Sequence, residues 1–205
     1  VYDGVDESWG PSFDPAINGA DGIDNDGDGM IDESGEGVLI DQFTGAQQPW
    51  IAHPDNVESI FQTGITFTNS IAITAAGDKA NARFSYTNMD QTGMVPNTDL
   101  RRNTFNLAFG MKMNDKWSSD GNIAYTIVDS KNRPAIGYAG DNIIQQTIWS
   151  GRQVDWEYLR DNYDQRDANG RIVNWNSNYQ NNPFFTLYNN LKPQHRDRVN
   201  GFYSL

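Results

Sequence analysis

Polar and apolar residues alternate strictly in several stretches of the chain from about residue 65 onward. A period of two is the pattern of a β-strand with unlike faces. In each stretch one parity is apolar and the other is rich in Thr, Ser, Asn and Ala. The apolar members of the first four predicted strands are Ile65, Phe67, Ile71 and Ile73; Ala82, Phe84 and Tyr86; Phe105, Leu107, Phe109, Met111 and Met113; and Ile123, Tyr125 and Ile127. A fifth run, Val199 to Leu205, repeats the pattern.

The predicted connections are alternately short and long. Short turns follow Ala76 and Met113, whereas residues 89–101 and 130–197 form longer loops. This arrangement is typical of outer-membrane β-barrels, so we predict an all-β fold, an antiparallel up-and-down transmembrane β-barrel segment of about four to five strands with long extracellular loops. A soluble β-sandwich has the same period, but the small neutral polar parity suits a barrel lumen better than an open solvent face.

The predicted organisation has four parts. Residues 1–60 form an acidic extracellular loop with a calcium-type motif at 24–36, and residues 61–129 form four barrel strands. Residues 130–197 form a long extracellular loop rich in aromatic residues and Asn, and residues 198–205 begin the next strand. Because the smallest single-chain barrels need about eight strands, we expect the sequence to be a piece of a longer chain, cut at both ends.

Acidic residues are concentrated at the N-terminal end of the chain. The formal net charge is −12, and residues 1–60 contain 14 Asp and Glu but no Lys or Arg. A strongly acidic chain is a poor nucleic-acid binder, because phosphate contacts require Lys and Arg. The absence of Cys excludes disulfides, thiolate metal sites and cysteine nucleophiles. No apolar run is long enough for a transmembrane helix.

The sequence offers no catalytic residues. Gly-x-Ser-x-Gly, Walker and His-Glu-x-x-His motifs are missing from it. Acidic residues are so abundant that a carboxylate pair for glycoside hydrolysis could be chosen anywhere, which makes such a pair uninformative. We therefore predict that the protein is not an enzyme.

A candidate calcium loop begins at Asp24. Residues 24–33 read DNDGDGMIDE, with carboxylates at positions 1, 3 and 5 and Gly at position 6, as in the first half of an EF-hand loop. Position 12 is Gly35, so the full signature fails, and Glu36 is the substitute that we expect. The predicted ligands of a calcium ion that stiffens this loop are Asp24, Asp26, Asp28, the Met30 carbonyl, Asp32 and Glu36. The alternative is a solvated acidic loop without a cation.

Aromatic residues and asparagines are frequent in the long loop. Flat rings with amide neighbours suit the recognition of sugars or peptides, and Trp175 and Tyr179 are our candidates for substrate contact. The alternative is that such rings pack a small core of the loop itself, as in any ordered insertion of this length. Arg152 and Asp155 are expected to brace the loop. The rings are Trp149, Trp156, Tyr158, Tyr163, Trp175, Tyr179, Phe184, Phe185 and Tyr188.

Short motifs follow one another in order between residues 50 and 205. They are HPDNV (53–57), FQTG (61–64), TNS (68–70), FSYTN (84–88), DQTG (90–93), PNTDL (96–100), RNTF (102–105), NRP (132–134), GRQVD (151–155), NPFFTLY (182–188) and DRV (197–199). This series resembles the SusC/RagA family of TonB-linked (TonB-dependent) outer-membrane receptors from Bacteroidetes. The resemblance is much weaker over residues 1–49, where only SWGP (8–11) fits.

The resemblance implies a transporter in the outer membrane of a Gram-negative cell, which imports a bulky nutrient such as an oligosaccharide or a peptide. It also implies three partners: a SusD-like surface lipoprotein that forms a lid, a TonB complex that supplies energy, and outer-membrane lipid. The plug and the TonB box have no counterpart in this sequence, so we expect them elsewhere in the protein. The competing hypothesis is a soluble, calcium-stabilised β-sandwich that acts as an adhesin or carbohydrate-binding module.

Overall fold

The computed structural model describes residues 12–14, 24, 29–31, 38–40, 47–175 and 181–205. The chain divides into two compact units, which we name the loop unit (Val1–Phe61 and Pro134–Asn190) and the sheet unit (Gln62–Arg133 and Leu191–Leu205). The described elements are β1 (Val38–Ile40), β2 (Gln47–Pro49), α1 (Asn56–Ser59), β3 (Ile65–Ala76), β4 (Ala80–Thr92), β5 (Asp99–Lys112), β6 (Ser118–Ser130), α2 (Ile143–Trp149), α3 (Trp156–Asp161), α4 (Pro183–Asn189) and β7 (Gln194–Ser204).

The sheet unit is a five-stranded antiparallel sheet. Its strand order is β3-β4-β5-β6-β7, so each strand pairs with its neighbour in the chain. The predicted all-β, up-and-down arrangement is therefore confirmed. The strands are between 11 and 14 residues long, and the last one begins at Gln194 rather than at residue 198. Within the described residues, no helix has the length and apolar character that a bilayer crossing demands.

Tight turns join the strands at one end of the sheet. Between β3 and β4, the backbone N–H of Gly77 donates to the carbonyl of Ala80 (2.8 Å). Between β5 and β6, the side-chain oxygen of Asn114 accepts the backbone N–H groups of Lys116 (2.9 Å) and Trp117 (3.0 Å), as in an Asx turn. Both turns lie where the alternation of the sequence predicts them.

The loop between β4 and β5 is shorter than the sequence predicts. Residues 89–101 were expected to be a loop, but both strands extend into this segment. The Nε of Arg101 lies 2.6 Å from Oδ1 of Asp90 on the paired strand, so opposite charges continue the hairpin. Six residues remain, and the N–H of Gly93 closes them by donating to the carbonyl of Thr98 (2.9 Å). The predicted boundaries of this loop are therefore wrong.

The strand register assigns the alternating residues to two faces. Directly paired residues of antiparallel strands lie on the same face. The apolar face carries the odd-numbered residues of β3, β5, β6 and β7 and the even-numbered residues of β4. The polar face carries the others. One row across the apolar face, for example, reads Ile73, Phe84, Leu107, Ile123 and Gly201.

The loop unit has the buried core of the described chain. Its helices are short, between four and seven residues each, and are held by packing rather than by their own length. No buried hydrophobic residue among the described ones belongs to the sheet unit. The buried hydrophobic residues are Trp50, Ile60, Ile143, Val154, Trp156, Leu159, Val173, Trp175, Phe184 and Leu187.

Candidate functional site

The described part of the candidate calcium loop has the curl that its sequence predicts. The Oδ2 of Asp24 accepts the backbone N–H of Gly29 at 2.8 Å, which brings positions 1 and 6 of the loop together. Gly29 has a φ of +94°, where a residue with a side chain is strained. Carboxylate and carbonyl oxygens fit Ca²⁺, a hard cation.

Most of the predicted calcium ligands lie outside the described residues. Met30 is described and exposed, whereas Asp26, Asp28, Asp32 and Glu36 are not among the described residues. Among the residues that are described, no group of three or more His, Asp or Glu side chains is placed to hold a metal ion. Calcium binding by this loop therefore stays a prediction.

Trp175, a candidate for substrate contact, lies in the core of the loop unit. Its side chain is 0% exposed, and its indole N–H donates to Oε1 of Gln146 at 3.0 Å. This is the core-packing role that the sequence analysis weighed against substrate contact. Tyr179, the second candidate, lies outside the described residues.

Asn56 ties two distant segments of the loop unit together. Its Nδ2 donates to the carbonyl of Val154 (2.5 Å), and its Oδ1 accepts the N–H of Trp156 (3.3 Å). In the same region the backbone N–H of His53 donates to the carbonyl of Arg152 (2.9 Å). The side chain of Asp155 caps α3 by accepting the N–H of Tyr158 (3.0 Å). These contacts give Arg152 and Asp155 a bracing role within the unit.

An apolar cavity of about 440 Å³ opens beside this brace. Its wall includes Trp50, Val57, Phe61, Ile148 and Trp156. The ring of Phe13 stacks on that of Trp50 with centroids 5.2 Å apart, which extends the aromatic surface. The size falls within the range of small-molecule sites. The sequence analysis missed this cavity because its lining residues come from three separate stretches of the chain.

The apolar face of the sheet changes character along the strands. Toward the tight turns it presents apolar rows, in one of which Ile73 is 65% exposed and Ile123 is 49% exposed. The next row is aromatic at its centre, because Tyr86, Phe105 and Tyr125 lie side by side on β4, β5 and β6, with Ile71 and Val199 at the two ends of the row. The ring centroids are 4.9 Å apart in the first pair and 6.4 Å apart in the second.

The two tyrosines of this aromatic row direct their hydroxyl groups toward the polar end of the strands. The Tyr86 hydroxyl donates to Oδ1 of Asn103 (2.8 Å), and the Tyr125 hydroxyl donates to Oδ1 of Asp197 (3.0 Å). Both acceptors belong to the next row, one step farther from the tight turns. Each ring therefore lies between an aliphatic surface and a polar one.

A charged row lies near the end of the apolar face on the side of the long connections. Asp90 and Arg101 form the ion pair described above, and Oδ1 of Asp129 lies 2.6 Å from Nδ1 of His195. The Nε2 of the same histidine lies 3.2 Å from Oδ2 of Asp197. Asp90, Asp129 and Asp197 thus each have a basic partner on the same face, whereas the carboxylate of Asp99 accepts the backbone N–H groups of Lys131 (2.7 Å) and Asn132 (3.3 Å).

The polar face carries most of the cationic residues of the sheet. The sequence analysis described this parity by its Thr, Ser, Asn and Ala residues and drew no conclusion from its cationic residues, although strand parity alone could have grouped them. Charged residues of the five strands on the polar face are Arg83, Arg102, Lys112, Asp120, Arg196 and Arg198; those on the apolar face are Asp90, Asp99, Arg101, Asp129, His195 and Asp197.

No family model matches the chain, and no curated protein matches it. The interpretation of its function therefore depends on the motifs in the sequence and on the two faces of the sheet.

Proposed function

We propose that this chain contributes wall strands and extracellular loops to a TonB-dependent outer-membrane transporter of the SusC/RagA type. The transporter imports oligosaccharides or peptides beneath a SusD-like lipoprotein lid, with energy from a TonB complex. The observation that carries the proposal is the order of residues on the apolar face: exposed apolar rows, then a row centred on three aromatic residues, then rows of polar and charged residues. This order follows the change from hydrocarbon to lipid headgroups to water.

The dimensions of the apolar face support a lipid contact. The aromatic row includes Tyr125, and Trp117 is exposed in the tight turn at the other end of the same strand. The eight residue steps from Trp117 to Tyr125 span about 27 Å along an extended strand. With the strand tilt of such barrels, about 40°, the height becomes about 20 Å, close to the apolar band of about 25 Å in outer-membrane proteins.

The sheet unit has no buried hydrophobic residue among the described ones, which also supports a lipid contact. In a soluble protein an exposed aliphatic surface on a sheet of this size needs a covering layer, because water solvates it poorly. Leu107 on the central strand β5 is 41% exposed, and Ile123 beside it on β6 is 49% exposed. Lipid would cover this face in the proposed transporter. Five strands do not close a barrel, so the proposal requires further strands to complete the wall.

The soluble β-sandwich has less support. A sandwich buries the apolar face of one sheet against a second sheet. In the part of the chain that the structure describes, the only strands outside the five-stranded sheet are β1 and β2, with three residues each. Two strands of that length cannot cover strands of 11 to 14 residues.

Site-directed spin labelling tests the proposal directly. These 205 residues contain no cysteine, so a Cys introduced at Ile73 or at Thr74 carries the only nitroxide among them. These neighbouring positions lie on the apolar and polar faces of β3. In outer membranes, we expect the label at residue 73 to collide with dissolved oxygen but not with a water-soluble nickel chelate, because oxygen concentrates in lipid. The label at residue 74 should show the nickel collisions that residue 73 lacks.

The same labels distinguish the alternatives. If residue 73 is shielded from both oxygen and the nickel chelate, its face is buried in protein. The soluble β-sandwich is then accepted and the transporter is rejected. A simpler companion measurement compares boiled and unboiled outer-membrane fractions on a denaturing gel. A barrel should give a band whose mobility changes on boiling. A soluble band near 23 kDa with the same mobility before and after boiling would contradict the barrel.

A further inference from the structure

The polar face of the sheet has an excess of positive charge. Among its described residues it carries five cationic side chains and a single carboxylate, Asp120. Lys112 pairs with Asp115 in the adjoining turn (3.0 Å). Arg83, Arg196 and Arg198 have no ion pair with any described residue. The apolar face differs, since Arg101 and His195 both lie against carboxylates there.

Three of these arginines are close together on the half of the face nearest the long connections. Arg102 and Arg196 lie in one row, separated by Val128 of the middle strand, and Arg198 lies one row away. Their backbones are about 10 Å apart across the strands and about 7 Å apart along β7. We name Arg102, Arg196 and Arg198 the arginine cluster. All three are exposed, and the hydrogen bond of Arg102 goes to the sulfur of Met89 (3.7 Å).

The surroundings of the cluster indicate the kind of ligand. Guanidinium groups stay charged and bind carboxylates with two parallel hydrogen bonds. Like charges this close repel one another, and an anion between them relieves that repulsion. The row of Arg198 also contains Thr104 and Thr126, whose Oγ1 atoms are 3.5 Å apart, and the next row contains Asn106 and Asn200, so hydroxyl and amide groups lie beside the cluster. Such groups form hydrogen bonds with the hydroxyls of a sugar.

We propose that the polar face binds an acidic oligosaccharide, whose carboxylates contact the arginine cluster and whose hydroxyls contact the neighbouring Thr and Asn side chains. The inference rests on the proposed function, in which this face lines the lumen, and it makes the imported substrate an acidic glycan. A polypeptide segment fits less well, because few large apolar side chains are present on this face to form the apolar centre of a protein interface.

Calorimetric titration of the intact native protein in detergent micelles tests the inference. The acidic probe is hexagalacturonate, and the neutral probe is maltohexaose. Because a hydrogen bond to a charged group is worth about a tenfold change in affinity, each of Arg102→Gln, Arg196→Gln and Arg198→Gln should weaken hexagalacturonate binding about tenfold. Arg198→Lys should recover only part of the loss, because it keeps the charge without the bidentate geometry. Added salt should weaken binding to the native protein.

Arg101→Gln is the matched control. Arg101 precedes Arg102 in the chain but belongs to the apolar face, where it pairs with Asp90. The control should bind hexagalacturonate as the native protein does. Unchanged mobility of each unboiled variant on a gel shows that the sheet has folded, so that lost affinity reports the ligand contact.

Three results would overturn the inference: equal affinity for maltohexaose and hexagalacturonate, unchanged affinity after all three substitutions, or tighter binding of polyglutamate than of hexagalacturonate. The last result assigns the face to an acidic polypeptide. The spin labels separate this inference from the proposed function. If residue 73 is buried in protein and hexagalacturonate binding depends on the arginines, the transporter is rejected and the binding face is retained. If residue 73 is exposed to lipid and hexagalacturonate does not bind, the transporter is retained and the binding face is rejected.

Discussion

The indole N–H of Trp175 donates to Oε1 of Gln146 at 3.0 Å, and both side chains are 0% exposed. The amide of Gln146 is also used on its other side, where Nε2 donates to the carbonyl of Gly140 (2.9 Å). One buried amide therefore satisfies a donor and an acceptor that come from separate parts of the loop unit. Removing it leaves the buried indole N–H of Trp175 without this acceptor.

Gln146→Leu should destabilise the loop unit by about 1–3 kcal/mol, because the buried indole N–H of Trp175 loses its acceptor. The measurement is the rate at which a protease cleaves within residues 134–190 of the folded protein. Gln165→Leu is the control, since it makes the same change at an exposed position. If both variants are cleaved at the native rate, the hydrogen bond contributes nothing measurable to the unit.

Gly121 has a packing role in the sheet. The ring of Phe109, on the neighbouring strand, lies across it, and a Cβ at residue 121 would overlap that ring. Gly121→Ala should therefore cost about 1–3 kcal/mol through overpacking, read as a lower temperature for the gel-mobility change of the folded protein. Gly77→Ala should change little, because the nearest atom to its Cβ is 3.9 Å away. Phe109→Leu should rescue Gly121→Ala; without rescue, the ring is not the cause.

Asp167 holds a turn in the loop unit. Its carboxylate accepts the backbone N–H groups of Arg171 and Asn169 (both 2.8 Å) and the Nε–H of Arg171 (2.6 Å). The backbone N–H of Arg171 is the largest of these influences, and together they lower the pKa of Asp167 below its ordinary value of 3.8. A depressed pKa means that the carboxylate stabilises the turn above pH 3.8 and that this contribution is lost as the pH falls through the lowered pKa.

Amide hydrogen exchange at Arg171 measures this effect. Protection should persist at neutral and mildly acidic pH and decrease only below the ordinary pKa range of Asp. Asp167→Asn keeps an acceptor oxygen but cannot titrate, so its protection should be lower at neutral pH and should lack the acid transition. Asp164→Asn changes an exposed neighbour and should leave the native profile intact. The same acid transition in Asp167→Asn would assign it to another group.

The candidate calcium loop gives a fourth prediction. Calcium should slow proteolysis around residues 20–36, because the ion draws the carboxylates together. Gly29→Ala should weaken calcium binding about tenfold, because a φ of +94° is strained for a residue with a Cβ. Glu36→Gln tests whether this residue replaces Gly35 at the twelfth position. Equal cleavage in calcium and in chelator contradicts calcium binding.

The strands were predictable from the sequence, whereas their ends were not. Alternation such as that of Ile71 and Ile73 with Ala72 and Thr74 is a local pattern, so it can be recognised without knowledge of the partner strand. The β4–β5 hairpin extends beyond its predicted ends, where Asp90 pairs with Arg101. Without knowledge of this pair, the charged residues of the segment are typical of a loop. Strand ends depend on cross-strand pairs, which become visible only in the register.

The roles of individual aromatic residues in the long loop also could not be predicted from the sequence. Trp175 was a candidate for substrate contact, but its acceptor lies 29 residues away on α2. Nothing near Trp175 in the chain marks it as a core residue. Asn182 differs, because an Asn before a Pro is a local signal of a helix start that the sequence analysis left unused: its Oδ1 accepts the N–H of Phe184 (2.9 Å) at the beginning of α4.

The contacts of Asn56 have a consequence for the order of folding. Asn56 and Val154 are 98 residues apart in the chain, so joining them from an unfolded state closes a long loop. The four strands from β3 to β6 run up and down, which leaves the start of β3 and the end of β6 at the same end of the sheet, three strand spacings or about 14 Å apart. A sheet that pairs first shortens the effective loop and lowers its closure entropy cost by about 1–2 kcal/mol. Strand pairing would then precede assembly of the two halves of the loop unit. A mutation that delays strand pairing would increase the entropy cost of bringing Asn56 and Val154 into contact.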